Sequence, residues 1–246
     1  MRFAVLTDIH ANREAFEAVL ADVAGQGIDR IVLLGDIVGY GADPNWCCDR
    51  AAALVAEGAI CVRGNHDNAA AGNSESMSPL AKEALDWTRA QLGEAQTAFL
   101  SSLPMTAEAE DLLFVHASAN RPDAWNYVTS GLTAVPSFRA CKARVILCGH
   151  VHVPLLVGRC TGGFVRAQAI RPGQPIRLLP SRRWLAVVGS VGQPRDGVAH
   201  AAWALVDTER AELTFRRTPY DVDSAAQKVR DAGLPEELAL RLLMGR

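Results

Sequence analysis

Five short apolar runs divide the first 152 residues, and each of them ends in polar side chains. Runs of about four apolar residues between turn-forming residues are typical of buried β-strands. The residues that follow these runs are rich in histidine and aspartate, which are seldom buried on an apolar strand face. The runs occupy residues 3–6, 31–34, 59–62, 112–115 and 145–148.

The segments between these runs have the apolar spacing of helices. Asn12 is the predicted N-cap of the first helix. Asp43 should cap the second helix, with Pro44 at its first position, and Gly93 should divide the third segment into two helices. This alternation predicts a parallel sheet with helices outside it, and ligands collect beyond the carboxyl ends of such strands. The helical segments are 12–25, 43–57, 78–101 and one that ends near residue 141.

After residue 152 the pattern changes to short strand-like segments with turn residues between them. This arrangement predicts an antiparallel or mixed second sheet. Asp221 should cap a helix that stops at Gly233, and a last helix should begin at Pro235. We find no linker or internal repeat and predict a single domain over residues 1–246. The strand-like segments are 155–158, 163–170, 176–179, 184–189, 202–206 and 211–217.

Composition and charge narrow the possible partners. Among 246 residues, 25 Lys and Arg face 27 Asp and Glu, and the net charge of −2 gives no case for duplex nucleic acid or an anionic membrane. The first apolar run is too short for a signal peptide, and no run approaches the ~20 residues of a membrane span. Six cysteines without CxxC spacing indicate reduced thiols, so we expect a cytoplasmic protein without a thiolate zinc site.

Potential metal ligands follow all five apolar runs. Five of the six histidines lie there, and only His200 does not. Aspartate, histidine and asparagine without cysteine suit Mn, Fe, Co, Ni or Zn better than Ca or Mg. Two ions roughly 3.5–4 Å apart that share one carboxylate would use a set of this size. The candidates are Asp8 and His10, Asp36, Asn65 and His66, His116, and His150 and His152.

One of these strand ends places an amide, an imidazole and a carboxylate at three consecutive positions, 65–67. Gly64 allows a tight backbone turn, so we expect the strand to run out into a loop that presents these side chains. An ordinary turn with a surface pair of His66 and Asp67 is the alternative interpretation.

The order of these motifs closely resembles that of the calcineurin-like metallophosphoesterases. The segment 189–197 is also similar to the small bacterial and archaeal cytoplasmic branch of this family. The resemblance implies an α/β fold of the four-layer αββα type, in which two mixed sheets pack face to face with helices outside. It also implies a dinuclear metal centre that hydrolyses phosphoesters. The matching blocks are DIH at 8–10, GD at 35–36, GNHD at 64–67, VH at 115–116 and GHVH at 149–152.

Carried over residue by residue, the resemblance implies two groups of ligands for two divalent transition-metal ions. A water bridging such ions is activated to attack phosphorus, because the ions lower its pKa. The ligands would be Asp8, His10 and His152 for one ion, Asn65, His116 and His150 for the other, and Asp36 as the bridge.

The resemblance gives His66 a different role, as the general acid that protonates the leaving group. The positive ions should disfavour protonated His66 unless a carboxylate offsets them. Asp67 is the carboxylate nearest in sequence that could offset the ions, and it is therefore a second catalytic candidate. A carboxylate that caps the loop is the alternative for Asp67.

Several activities occur in families with these motifs. Ser/Thr protein phosphatases carry GDxVDRG, whereas this chain has Gly39 and Tyr40 in place of the second Asp and the Arg, which argues against that class. The leading hypothesis is a phosphodiesterase or phosphatase acting on a small phosphoester, such as a nucleotide. Alternatives are a Ser/Thr protein phosphatase-like or dinucleoside-tetraphosphatase-like enzyme, a nuclease and a non-catalytic scaffold. The balanced charge counts against the nuclease, and the intact ligand set counts against the scaffold.

Substrate phosphate could be gripped by Arg13, just after the predicted cap, or by Arg195, in a Gly- and Pro-rich loop. Arg13 could equally be an exposed residue at a helix start. Trp125 and Tyr127 could stack a base, although aromatic residues more often anchor a loop. Substrate choice should depend on the loops at 68–78, 118–131 and 189–200.

Overall fold

The computed structural model describes residues 1–73 and 76–246 and arranges them in four layers. Two sheets of six strands pack face to face, and helices cover the outer face of each. This confirms the α/β four-layer sandwich. The prediction of a single domain over 1–246 stays a prediction.

The strands are short, as the apolar runs indicate. In chain order they are β1 (Arg2–Leu6), β2 (Arg30–Leu33), β3 (Ile60–Cys61), β4 (Thr106–Ala109), β5 (Leu112–Val115), β6 (Val145–Cys148), β7 (Leu155–Cys160), β8 (Val165–Gln168), β9 (Ile176–Arg177), β10 (Arg182–Val187), β11 (Ala201–Asp207) and β12 (Glu212–Thr218).

The helices lie mainly between the strands of the first half and at the C-terminal end. They are α1 (Arg13–Ala24), α2 (Pro44–Ala56), α3 (Asn65–Ala70), α4 (Pro79–Gln91), α5 (Glu94–Ser102), α6 (Gly131–Ala140), α7 (Val222–Asp231) and α8 (Glu236–Met244), with a 3-10 turn at Pro122–Ala124. None of these described helices exceeds 13 residues, and none has the length and hydropathy of a membrane span.

The five apolar runs of the first half are divided between the two sheets. The first sheet has the order β3-β2-β1-β11-β12-β9, and the second has the order β4-β5-β6-β10-β7-β8. Strands β1, β2 and β3 are parallel, as are β5, β6 and β10, and the other strand pairs are antiparallel. The pattern of the runs alone favoured one parallel sheet. The chain instead crosses between sheets after β3, so that strand ends from both sheets face a common edge.

Alternate residues of β1 point into different layers of the sandwich. Phe3 packs between the sheets, where its ring centroid lies 5.9 Å from that of Phe114 on β5. Leu6 faces the other way and packs with Phe16 of α1. All four of these side chains are fully buried. Replacing any one of these phenylalanines by alanine would cost about 3–5 kcal/mol of stability. This core therefore holds the strand ends in fixed positions.

The helix starts show which capping predictions hold. Asn12 caps α1, because its Oδ1 accepts from the backbone N–H of Ala15 at 3.0 Å. Asp43 is the N-cap residue of α2 and Pro44 begins the helix, as predicted, but the side chain of Asp43 forms no capping hydrogen bond. Its carboxylate instead accepts from Lys228 of α7 at 2.8 Å and thereby ties the C-terminal helices to this end of the sheet.

One local prediction was also wrong, and one strand was not foreseen. The segment after β3 does not run out into a loop, because Asn65 begins the short helix α3, with Gly64 as its N-cap. Strand β4 was not foreseen, since Thr106–Ala109 is polar and half exposed at the edge of its sheet. Positions 74 and 75 of the loop expected at 68–78 lie outside the described residues.

Candidate metal centre

Potential metal ligands from both sheets converge at the carboxyl ends of five strands. The aspartates and histidines among them are at most 7% exposed. Within each of three groups, one potential ligand atom per residue lies within 4.8 Å of the others. The groups are Asp8, His10 and His152; His10, Asp36 and His66; and Asp36, His116 and His150.

The backbone is strained at these positions. Five of the predicted ligands are non-glycine residues in the left-handed region, with φ between 51° and 67°. Such conformations cost of order 1–3 kcal/mol each and persist mainly where function requires them. The residues concerned are Asp8, His10, Asp36, His150 and His152.

Two glycines of the motifs are required by close packing. A Cβ at Gly64 would clash with the backbone and carboxylate of Asp36, and one at Gly149 would clash with Thr7 and with the carboxylate of Asp8. Glycine therefore allows the backbone of one strand end to approach the buried carboxylate of another.

The first group has lone pairs that point at one another. The Nδ1 atoms of His10 and His152 lie 3.1 Å and 2.6 Å from backbone carbonyl oxygens. Since a carbonyl oxygen only accepts, each Nδ1 carries the proton and each Nε2 keeps a free lone pair. The two Nε2 atoms are 3.1 Å apart, and Oδ1 of Asp8 lies 3.3 Å from Nε2 of His152. A cation between these atoms would remove their repulsion, and metal-binding histidines commonly donate their other N–H in this way.

The second group repeats this arrangement around His116. Its Nδ1 donates to the carbonyl oxygen of Leu34 at 2.8 Å, which leaves Nε2 directed into the site. This Nε2 lies 3.1 Å from Oδ1 of Asn65, 3.2 Å from Nδ1 of His150 and 3.4 Å from Oδ2 of Asp36. The donor set therefore fits a borderline divalent ion here as well.

Asp36 lies between the two groups. Its Oδ2 is 3.6 Å from Nε2 of His10 and 3.4 Å from Nε2 of His116. Its Oδ1 accepts from the backbone N–H of His66 at 2.8 Å, which fixes the carboxylate in this orientation. One carboxylate thus faces both groups of potential ligands.

The site favours positive charge at its centre. Burial alone would raise the pKa of Asp8 and of Asp36, but neighbouring histidines lower both. Burial by itself would lower the pKa of His116, yet Asp36 beside it raises that pKa to about 9. By contrast, burial and the nearby His116 lower the pKa of His150 to about 3. Asp36 therefore favours positive charge at the centre of the second group.

His66 is buried beside these groups, and in the described part of the chain no carboxylate binds its Nδ1 atom. Among the described residues, nothing forms a hydrogen bond with its Nδ1, and a Cβ at Gly39 would clash with that atom. Burial lowers the pKa of His66, and Asp36 opposes this shift. His66 also belongs to one of the three groups, so proximity alone fits either a ligand or a proton donor.

Asp67 binds backbone rather than His66. Its Oδ2 accepts from the N–H of Gly64 at 3.0 Å, and its Oδ1 accepts from the N–H groups of Ile37 and Val38 at 2.8 Å and 3.3 Å. Burial and the charge of Asp36 raise its pKa to about 7. The sequence left open whether Asp67 acts in catalysis or caps the backbone. Its contacts in the structure are those of a capping carboxylate.

The two arginines proposed for substrate binding have different surroundings. The guanidinium of Arg195 lies over the ring of Tyr40 at 5.7 Å and donates to Gln193 at 2.8 Å. It is near enough to contribute to the lowered pKa of His66. Arg13 instead pairs with Glu17 at 3.1 Å on its own helix and lies over Trp46.

Sequence reasoning missed several residues that support the ligands. The hydroxyl of Thr7 donates to Oδ2 of Asp8 at 2.8 Å, and the carbonyl of Gln193 accepts from His152. The ring of Tyr40 lies 4.7 Å from that of His10. The 189–197 motif was the available signal for Gln193, whereas nothing in the sequence distinguished Thr7.

Comparisons with known proteins agree with this site. A family model described as the calcineurin-like phosphoesterase superfamily domain matches residues 1–211. An uncharacterized protein of Methanocaldococcus jannaschii is 35% identical over 251 residues, covering 99% of this chain and 98% of that protein. The crystal structure of a metallophosphoesterase from Sphaerobacter thermophilus is 36% identical, with a TM-score of 0.88 over 100% of this chain and 99% of that chain. A hypothetical protein from Pyrococcus horikoshii shares the fold, at 21% identity and a TM-score of 0.79 over 100% and 98% of the two chains.

The chain belongs to the calcineurin-like phosphoesterase superfamily, as the motif order indicated. It is a metal-dependent hydrolase of phosphoester bonds. The superfamily uses divalent metal ions, and the buried aspartates and histidines form clusters that could bind them.

Proposed function

We propose that this chain hydrolyses small phosphoesters, nucleotides among them, with two divalent transition-metal ions and His66 as general acid. The position of Asp36 carries this proposal, since one carboxylate oxygen faces a histidine of each ligand group, at 3.6 Å and 3.4 Å. A site for one ion would not need ligands on both sides of Asp36. The ligands would be Asp8, His10 and His152 on one side, Asn65, His116 and His150 on the other, and Asp36 between them.

A bound pair of divalent ions would lower the pKa of a water between them and stabilise the charge on the phosphoryl oxygens. The chain itself supplies the geometry for this chemistry. His10, His116 and His152 keep their Nε2 lone pairs directed inward because their Nδ1 atoms are bound to carbonyl oxygens. Burial of the carboxylates excludes water that would weaken their hold on the ions.

His66 is proposed to protonate the oxygen of the leaving group. Its ring is fixed by edge contact with His10, at 4.9 Å between centroids, and by the neighbouring Tyr40. Burial lowers its pKa, but a phosphate bound beside it would add negative charge and raise that pKa again. The remaining ligands complete both groups without His66, so a proton donor is the role that uses it.

Arg195 is the better placed of the two arginines for a substrate phosphate. Its guanidinium stands beside Tyr40 and His66, and its Nε is buried with no hydrogen-bond partner in the described part of the chain. A guanidinium can bind two phosphate oxygens at once. The side-chain contacts of Arg13 keep it on the surface of α1, which favours the exposed helix-start interpretation.

The decisive experiment combines metal analysis with hydrolysis. The protein is stripped with a chelator, reloaded with Mn and assayed with bis-p-nitrophenyl phosphate and p-nitrophenyl phosphate. We expect two bound ions per chain and hydrolysis that requires them. An Asp36→Asn variant is the matched control, because it keeps the side-chain shape and removes the charge. Binding of Mn without hydrolysis of either substrate, or of a series of nucleotides, would favour a scaffold and contradict the proposal.

A further inference from the structure

An exposed aromatic ring stands against the second ligand group. Tyr127 stacks on the imidazole of His150, with ring centroids 4.3 Å apart and an angle of 25° between planes. His150 is buried, whereas Tyr127 is 59% exposed. One face of the tyrosine ring therefore covers a candidate metal ligand, while much of the ring remains open to solvent at the rim of the site.

A second aromatic side chain from the same loop lines this flank. Trp125 meets His116 edge to face, with centroids 5.9 Å apart and an angle of 73°. Its backbone is in the left-handed region at φ 51°, as is that of Arg121 at φ 53°. Such strain at two positions of one loop requires that the loop be held in place, and it is typical of functional loops.

The loop is anchored on both sides of the aromatic pair. Val128 is 2% exposed and packs into the core beneath α6. The hydroxyl of Ser118 shares a hydrogen bond of 2.8 Å with Ser137, and Ser130 forms a capping box with Thr133 at the start of α6. Tyr127 is thus presented from a fixed loop, and stacking on it would require little further ordering.

The two flanks of the metal centre differ in chemistry. Arg195, Tyr40 and His66 surround the first group and provide a cation and a proton donor. Tyr127 and Trp125 surround the second group with aromatic rings. A phosphoester with a charged centre and an aromatic substituent matches this division better than a wholly aliphatic one, because the open ring is suited to stacking.

We propose that Tyr127 is a stacking platform for an aromatic group of the substrate, a nucleobase or a substituted phenyl ring. The inference rests on the proposed function, since it places the phosphoryl group at the metal ions between the two flanks. Stacking of a base on an aromatic side chain is sequence-tolerant, so the platform selects an aromatic substituent rather than one particular base. The tyrosine then fixes the substrate class, while the metal centre fixes the bond that is cleaved.

The test compares two phosphate monoesters that differ only by a base. Binding of adenosine 5′-monophosphate and of ribose 5-phosphate is measured by calorimetry on the Mn-loaded His66→Ala protein, in which hydrolysis of either ligand should be slow. We expect adenosine 5′-monophosphate to bind about 5–100-fold more tightly, in keeping with the usual value of one base–aromatic stack. In the same background, Tyr127→Leu should abolish this preference, and Tyr127→Phe should keep it.

The matched control is Phe164→Leu, which removes another exposed aromatic ring, 80% exposed in the turn between β7 and β8. It should leave both affinities unchanged. Equal affinities of the His66→Ala protein for the two ligands would overturn the inference. An equal loss for both ligands in Tyr127→Leu would also overturn it, because Tyr127 would then serve only to support His150. Failure of the hydrolysis assay is a separate result, since this binding measurement does not depend on turnover.

Discussion

Tyr40 packs its ring against His66, with the two centroids 4.6 Å apart and the planes tilted by 56°. Tyr40 itself is only 9% exposed and sits in the left-handed region at φ 64°, so the fold pays a conformational cost to keep it there. His66 has no carboxylate partner on Nδ1 among the described residues. We therefore infer that packing by Tyr40, rather than a hydrogen bond, holds His66 in position.

Replacing Tyr40 by leucine should reduce kcat by about 10–100-fold, which is the effect of small misplacements of catalytic groups. Tyr40→Phe keeps the ring and should stay near wild type. The sharper measurement uses leaving groups of different pKa. A poor leaving group depends more on the proton from His66, so Tyr40→Leu should slow its release more than that of p-nitrophenol. An equal loss for both leaving groups would show that Tyr40 acts on general stability or metal binding instead.

His66→Ala should retain the full metal content and lose about 10²–10⁴-fold in turnover, which is the usual contribution of a general acid. Metal content by elemental analysis is the essential companion measurement, because His66 also lies in a potential ligand group with His10 and Asp36. If the variant loses an ion together with its activity, His66 is a ligand. If turnover survives with both ions bound, the acid role is wrong.

The sequence could predict which residues come together at the strand ends, because their positions depend on local rules. A polar residue that follows an apolar run lies at the carboxyl end of a strand, and five such ends meet wherever the strands are parallel neighbours. The division of these strands between two sheets was not predictable in the same way. Strand β1 pairs with β11, where Val5 lies opposite Ala204, and no local pattern encodes so distant a pairing.

Other features depend on contacts that only the folded chain creates. The strained backbone of Tyr40 and its packing on His66 need Gly39 on one side and Arg195 on the other. The short helix α3 forms where two buried carboxylates, Asp36 and Asp67, accept backbone N–H groups near its start. Neither relation has a periodic signal along the sequence, which explains why a loop was expected there.

Asp67→Ala should destabilise the protein strongly. The carboxylate accepts three buried N–H groups, and each group left without a partner costs about 1–3 kcal/mol. We expect a loss of several kcal/mol in the free energy of unfolding, measured by urea denaturation of the metal-free protein. Asp67→Asn keeps one acceptor oxygen and should lose less. A variant with normal stability and a selective loss of kcat would instead support the catalytic role predicted for Asp67.

Arg195→Gln should raise KM for phosphoesters by about tenfold or more, since hydrogen bonds to a charged group contribute about 1.5–3 kcal/mol. Arg13→Gln is the matched control and should leave KM unchanged, because Arg13 is engaged by Glu17 and Trp46 on the surface of α1. Both variants should bind metal normally. A larger effect on KM from Arg13→Gln than from Arg195→Gln would show that Arg13 binds the phosphate instead.

Metal stoichiometry of single variants tests the division into two ligand groups. His152→Gln alters the first group and His116→Gln the second, so each should weaken one ion and spare the other. Asp36→Asn faces both groups, at 3.6 Å from His10 and 3.4 Å from His116, and should weaken both. Thermal melting gives an independent measure, because ligand at a hundred times its Kd stabilises a protein by about 2.7 kcal/mol. Stabilisation by Mn should therefore fall most in Asp36→Asn. If this variant still binds two ions as tightly as wild type, Asp36 does not bridge them, and the two groups act as independent sites.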